Sequence, residues 1–403
     1  MSSTVALVIA CLVSLSPAQS PQGFQTGPEG GLWNNAATEK APEGTLPSRE
    51  GLDLTGSYLL WWWNRGTLPP LLTTSSPADA GVLGAATTQV LYGGQQAGAN
   101  PFSGGRFAGT AFLNSVWDLE VGGFFLTEQR DSFSTASDLN GPLLAVPIID
   151  TRTGQPSSIV ISEPGVTAGS YTARLISQLW GLHFSGIAHV AFSDYWHLML
   201  STGVRYADYT EALRLGIRQQ SPFAGTFEGA AIPADSVVRG FDRFHCRNQF
   251  AGGMLGTVNE FKLGGLIVTA RVQCAFGVTR GRSTTFGAGY LNVPSGDTAM
   301  VYANVLAQPT NIGTRTSSRA TLLPEGGVTV GYQVTRNVQL FAGYDLFYWS
   351  NVLRPGDQIT RRVNPELVPF LGTSSAGAPA AQPAPVWTSL LAQGVNVGVL
   401  LSF

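Results

Sequence analysis

Charge is what this sequence has least of. Only 12% of its 403 residues are Asp, Glu, Lys or Arg, where a soluble globular chain carries about a quarter. A surface this poor in charge is polar by other means or faces lipid. The formal net charge is −2 and no basic block occurs, so the phosphate-neutralising groups on which nucleic-acid binding depends are missing. Long apolar runs are missing too. None reaches the roughly 20 residues that a membrane-crossing helix needs, and the longest, Val5 to Leu15, stands at the amino terminus. No G-x-S-x-G, H-E-x-x-H, C-x-x-C or phosphate-loop pattern is present, which leaves metal and nucleotide cofactors unsupported. Four histidines are a poor supply of general bases.

What is there suits strands and turns. Glycine at 49 residues and aromatics at 10% fit a chain of strands joined by tight connections. Residues 1–18 read as a signal peptide, with Ser16 and Ala18 suited to cleavage before Gln19, although no Lys or Arg precedes the apolar stretch. Residues 19–50, rich in Pro, Gly, Asn and Glu, read as a flexible periplasmic leader. The fold is expected over 51–403.

Alternation with period two carries the fold assignment. Val395, Val397, Val399, Leu401 and Phe403 share one parity while Asn396, Gly398 and Ser402 share the other, a strand that stops at a terminal aromatic. From Gly264 to Val278 the even positions are apolar, whereas the odd ones include Thr269, Arg271 and Gln273. Such segments fall near 52–63, 105–113, 117–128, 171–190, 195–217, 241–259, 262–282, 319–333, 337–350 and 393–403. Short connections near Ser115, Ser193, Glu260 and Arg336 alternate with long ones. Several strands exceed the usual five or six residues and match the 9–11 that a tilted strand needs in a bilayer. The expectation is an all-β protein: a closed antiparallel up-and-down transmembrane β-barrel of about ten strands, integral to a bacterial outer membrane, with tight turns inside and long loops outside.

Trp61, Trp62 and Trp63 end the first strand and Tyr348 and Trp349 end the ninth, positions expected for membrane-interface aromatics. Taking even positions of the later strands as lipid-facing places Arg205, Arg247 and Arg271 inside the barrel at comparable heights. It also places Glu325 and Asp345 inside, opposite each other across a turn near Thr335. Such charges either plug the lumen by satisfying one another or set the selectivity of a narrow pore for small solutes. Cys246 and Cys274 share parity, and a hairpin centred on Glu260 would bring them face to face. A cross-strand disulfide and two small lipid-facing residues are both open. The rival class is an enzyme at the external rim, where His245 with Asp242 or Glu211 would act as base.

Leu59-Leu60-Trp61-Trp62-Trp63, Val90-Leu91-Tyr92-Gly93-Gly94, Gly203-Val204-Arg205-Tyr206, Arg247-Asn248-Gln249-Phe250 and the run from Gly343 to Ile359 resemble the planctomycete outer-membrane β-barrel proteins of family seven. The likeness spans roughly 52–403, with Asp345 where an asparagine is more familiar. It implies location and architecture, and no activity. The resulting expectation is a structural envelope component or narrow passive pore, not an enzyme. Its partners would be the lipid bilayer, the insertion machinery that reads Phe403, and an external partner not named by the sequence; no cofactor is expected.

Overall fold

The computed structural model describes residues 51–63, 66–94, 101–371 and 384–403; the signal peptide and leader expected over 1–18 and 19–50 lie outside them. Ten long strands dominate: β1 (Gly51–Trp63), β2 (Phe102–Phe112), β3 (Trp117–Ser137), β4 (Ala168–Phe192), β5 (Trp196–Gln220), β6 (Val237–Leu263), β7 (Leu266–Asn292), β8 (Gly313–Thr335), β9 (Val338–Leu353) and β10 (Trp387–Ser402). Each is antiparallel to its sequence neighbours. β1 also pairs with β10, from Asp53 opposite Ser402 to Trp63 opposite Ala392, so the sheet is a continuous ring of ten.

These are the ten strands that the alternation marks, several of them longer than expected. β6 and β7 each run for 27 residues. Apolar alternation ends where the apolar environment ends, but the backbone ladder continues because it needs no particular side chain. Tight connections at 113–116, 193–195, 264–265 and 336–337 lie at one end of the ring, and the long connections at the other.

One turn differs from expectation, and the difference propagates. Glu260 is in the ladder opposite Thr269, and the β6–β7 reversal is the pair Gly264-Gly265, between Leu263 and Leu266. Gly264 has φ +65°, a left-handed conformation that glycine adopts without a Cβ penalty. The displaced turn makes facing residues of opposite parity, and a one-residue slip sends every side chain to the other face. In β6, therefore, the even positions are buried inside the ring.

The outer wall carries a continuous apolar belt. Tyr58, Phe107, Val121, Leu182, Val204, Leu255, Phe276, Val328, Tyr344 and Val397, one from each strand, are all exposed large hydrophobic residues. On β7 the outward positions from Leu266 to Val278 carry no charge, and Arg280 follows. Twelve residue steps at about 3.3 Å and a tilt near 40° make a belt roughly 30 Å tall.

At the loop end, strands 72–74, 89–92, 144–150, 156–162 and 362–363 form a small second sheet, the cap. Leu71, Leu72, Leu144 and Ile161 from these connections pack on Tyr171, Leu175, Leu213 and Phe244 of the ring interior. The long connections thus fold into the mouth, with Arg354, Val363 and Val368 buried there.

Candidate functional site

The ring interior is layered. Nearest the short-turn end is a cavity of ≈ 290 Å³, lined by charged groups that include Asp118, Glu120, Arg106, Arg205, Arg271, Glu325 and Asp345. Glu120 on β3 is its hub. It accepts from Arg271 Nη1 (2.8 Å) and Nη2 (3.0 Å) across the ring and lies 2.9 Å from His183 Nε2. Arg205 Nη1 is 3.2 Å from His183 Nδ1. A guanidinium can only donate, so Nδ1 faces a donor on one side and Nε2 faces the Glu120 carboxylate on the other. Arg205 also pairs with Glu325 at 2.6 Å. Arg106 pairs with Asp345 at 3.0 Å, which Asn396 also contacts at 2.8 Å. Closer to the turns, His189 bridges Asp118 and His197, each at 2.8 Å.

Above this cavity lies an apolar layer to which every strand contributes. Trp61, Phe102, Phe124, Leu179, Tyr209, Phe250, Ala275, Leu323, Phe347 and Leu390 are each at most 4% exposed. The contacts run across the ring as well as along it. Phe124 on β3 meets Phe347 on β9 at 5.7 Å, Trp63 on β1 meets Tyr209 on β5 at 6.0 Å, and Phe250 on β6 meets Trp349 on β9 at 6.1 Å. Edge and tilted geometries of this kind add to the burial of large apolar area. The charged layer supports it from below, with Arg106 5.6 Å from the Trp61 ring and Arg205 5.4 Å from Phe124. Trp349 donates its indole N–H to Thr279 at 2.8 Å.

A third layer sits above. Asn248 accepts from the Leu353 amide at 2.6 Å and donates to the Leu353 carbonyl at 2.9 Å, holding the top of β9 against β6. Arg354, 2% exposed, lies 3.9 Å from Glu211 and 3.4 Å from the Tyr209 hydroxyl. The run from Gly343 to Ile359 thereby builds both closures: Phe347 and Trp349 in the apolar layer, Arg354 in the one above.

Several sequence expectations need correction. Arg205, Arg271, Glu325 and Asp345 do point inward, but Arg247 does not. The β6 parity change turns it outward, 48% exposed, onto Asp208 at 2.7 Å. The two inward arginines are each held by a carboxylate. Asp345 faces Gly327 and Glu325 faces Phe347, not one another; a Cβ at Gly327 would meet Asp345 at 2.8 Å. Cys246 faces Ser283 and Cys274 faces Leu255, and both thiols are free. Cys246 is interior rather than lipid-facing. Of the expected interface aromatics, Trp61, Trp63 and Trp349 are buried in the interior and Trp62 is exposed at 38%, as alternation along a strand requires. Tyr348 lies at an outward position, half-buried. His245 points outward between Arg243 and Arg247, whereas Asp242 and Glu211 are interior; the rim base lacks its carboxylate. Asp242 instead accepts from the Ala307 amide at 2.8 Å and from Asn304 at 3.0 Å.

Sequence reading missed Asp118, Glu120, Arg106 and the three inward histidines as members of the charged layer. A signal existed: Asp118 and Glu120 alternate with Trp117, Leu119 and Val121, two acids on one face of a strand whose other face is apolar. Among the described residues no group of three metal-ligating side chains is gathered.

Among solved structures, the chain is similar to the outer membrane protease OmpT of Escherichia coli, at 10% identity and TM-score 0.40, covering 89% of this chain and 99% of that one. It is also similar to the toluene transporter TodX of Pseudomonas putida (9%, TM-score 0.18, 88% and 90% covered). A third is the anion-selective porin of Comamonas acidovorans (9%, TM-score 0.18, 88% and 100% covered). At these scores the likenesses carry no argument about role. No curated protein matches the sequence. The family described as "Putative beta barrel porin-7 (BBP7)" matches residues 54–403, all of the ring but the first three residues of β1, and the chain belongs to that family.

Proposed function

We propose that this protein is an integral outer-membrane β-barrel with a closed lumen, a structural component of the envelope with its cap outside and its charged cavity toward the periplasm. The belt supports the membrane reading, since a water-soluble monomer rarely exposes more than a few hundred Å² of contiguous apolar surface. Closure of the ring fits it too, because lipid leaves no partner for an unpaired strand edge. Phe403, 70% exposed at the end of β10, is the proposed insertion signal, and the tight turns would lie on the periplasmic side. The observation that carries the structural reading is the apolar layer, which stands equally against the passive-pore alternative. Wild-type protein in planar lipid bilayers should show no discrete conductance. Reproducible unitary steps would overturn the closed-lumen reading.

A further inference from the structure

Directly above the apolar belt, the outer wall of β4 to β7 turns strongly basic. Arg280 is the next outward side chain after Val278 on β7. Arg247 faces Arg282 across the β6–β7 ladder, and two outward rows higher, past His245, Arg174, Arg214 and Arg243 stand opposite each other on β4, β5 and β6. All six are exposed. Directly opposed residues of neighbouring strands have Cβ atoms about 5 Å apart, and like charges there are destabilising. An anion bound across such rows would relieve that cost. The wall does not supply it. Among the described residues, the outward face of these strands above the belt bears one carboxylate, Asp208, and Arg247 already holds it. Arg214 is further fixed with its guanidinium 4.4 Å over the Phe241 ring.

We propose that this patch binds the phosphate-bearing headgroups of lipids in the leaflet on the loop side. Charge complementarity calls for an anion, and guanidinium groups match phosphate geometry. Position narrows the anion to a lipid: the arginines continue the same strands and face as Leu200, Val204, Leu255 and Phe276, so one molecule can place its acyl chains on the belt and its phosphate on Arg247, Arg280 and Arg282. This rests on the membrane reading above, and the experiment separates the two.

Full-length protein folded in neutral detergent is titrated with phosphatidylglycerol or phosphatidylcholine, and bound lipid is counted by native mass spectrometry. Wild type should prefer phosphatidylglycerol by at least about tenfold, with the preference shrinking as salt rises. Arg243→Gln/Arg280→Gln/Arg282→Gln should lose about a hundredfold in that affinity, roughly fivefold per charge removed, and keep its affinity for phosphatidylcholine. Arg247 is left in place because removing it would strand Asp208. Excess inorganic phosphate should not displace the lipid; full displacement would make free phosphate the ligand and overturn the lipid assignment. Equal affinity of wild type for the two lipids overturns the proposal whether or not the variant folds. A chain that inserts into phosphatidylcholine bilayers without headgroup preference sinks this proposal alone, whereas a chain dispersed in buffer without detergent sinks the membrane reading.

Discussion

Replacing Trp349 by alanine should unseat the layer that closes the interior. The indole is fully buried, packs against Phe250 at 6.1 Å and Phe347 at 6.3 Å, and donates to Thr279. Removing a buried aromatic of this size costs about 3–5 kcal/mol through lost transfer energy and the cavity left behind. A reporter is already in place. Cys246 is 0% exposed and lies on the inner face of β6, two inward positions above Phe250. A water-soluble thiol reagent reaches it only when the packing around it opens. If that opening is easier by 3–5 kcal/mol, labelling accelerates by roughly two to four powers of ten, at one power per 1.4 kcal/mol. The assay follows labelling of protein lacking residues 1–18 in a Cys274→Ser background, in neutral micelles, with heat-modifiable gel migration confirming the fold. Wild-type Cys246 that reacts as fast as an exposed thiol would refute the sealed layer. So would a folded Trp349→Ala variant labelled no faster than wild type.

Asn248→Ala removes both bonds that tie the buried Leu353 backbone to β6, at about 1–3 kcal/mol for groups left unsatisfied. Hydrogen exchange should accelerate over 352–359 and stay unchanged in the β1–β10 ladder; an unaltered Leu353 amide would contradict the clasp. In the cap, hydrogen bonds from Arg152 hold the Asp150 carboxyl below its ordinary pKa of 3.8, and Arg152 also reaches Glu366 at 2.9 Å. A depressed carboxylate contributes stability above its unfolded pKa and loses it as pH falls through the folded one. Wild type should therefore exceed Asp150→Asn in urea resistance of the cap at pH 6, with the gap closing below about pH 3.8. A gap that persists or grows in acid would reverse the assignment.

Much of the architecture was legible because its cause is local. Alternating apolar side chains in β7, β9 and β10 state that two faces meet two environments, and low charge states that one of them is not water. The site was legible only in part. Parity gives Arg271 and Arg205 the inward positions that the structure shows, but reverses Arg247 and Cys246, because one turn centred between four and five residues late inverts a whole strand. The three consecutive tryptophans looked like an interface cluster, yet a pleated strand must send Trp61 and Trp63 one way and Trp62 the other.

Long amphipathic strands in a fixed order are legible residue by residue, since period-two patterning and turn residues act over neighbours. Only the folded ring brings side chains of all ten strands together in its interior and makes partners of Glu120 and Arg271, 151 residues apart. Those outcomes depend on which strands face each other across the ring and how far large side chains reach inward, quantities set by closure and register that no local pattern records.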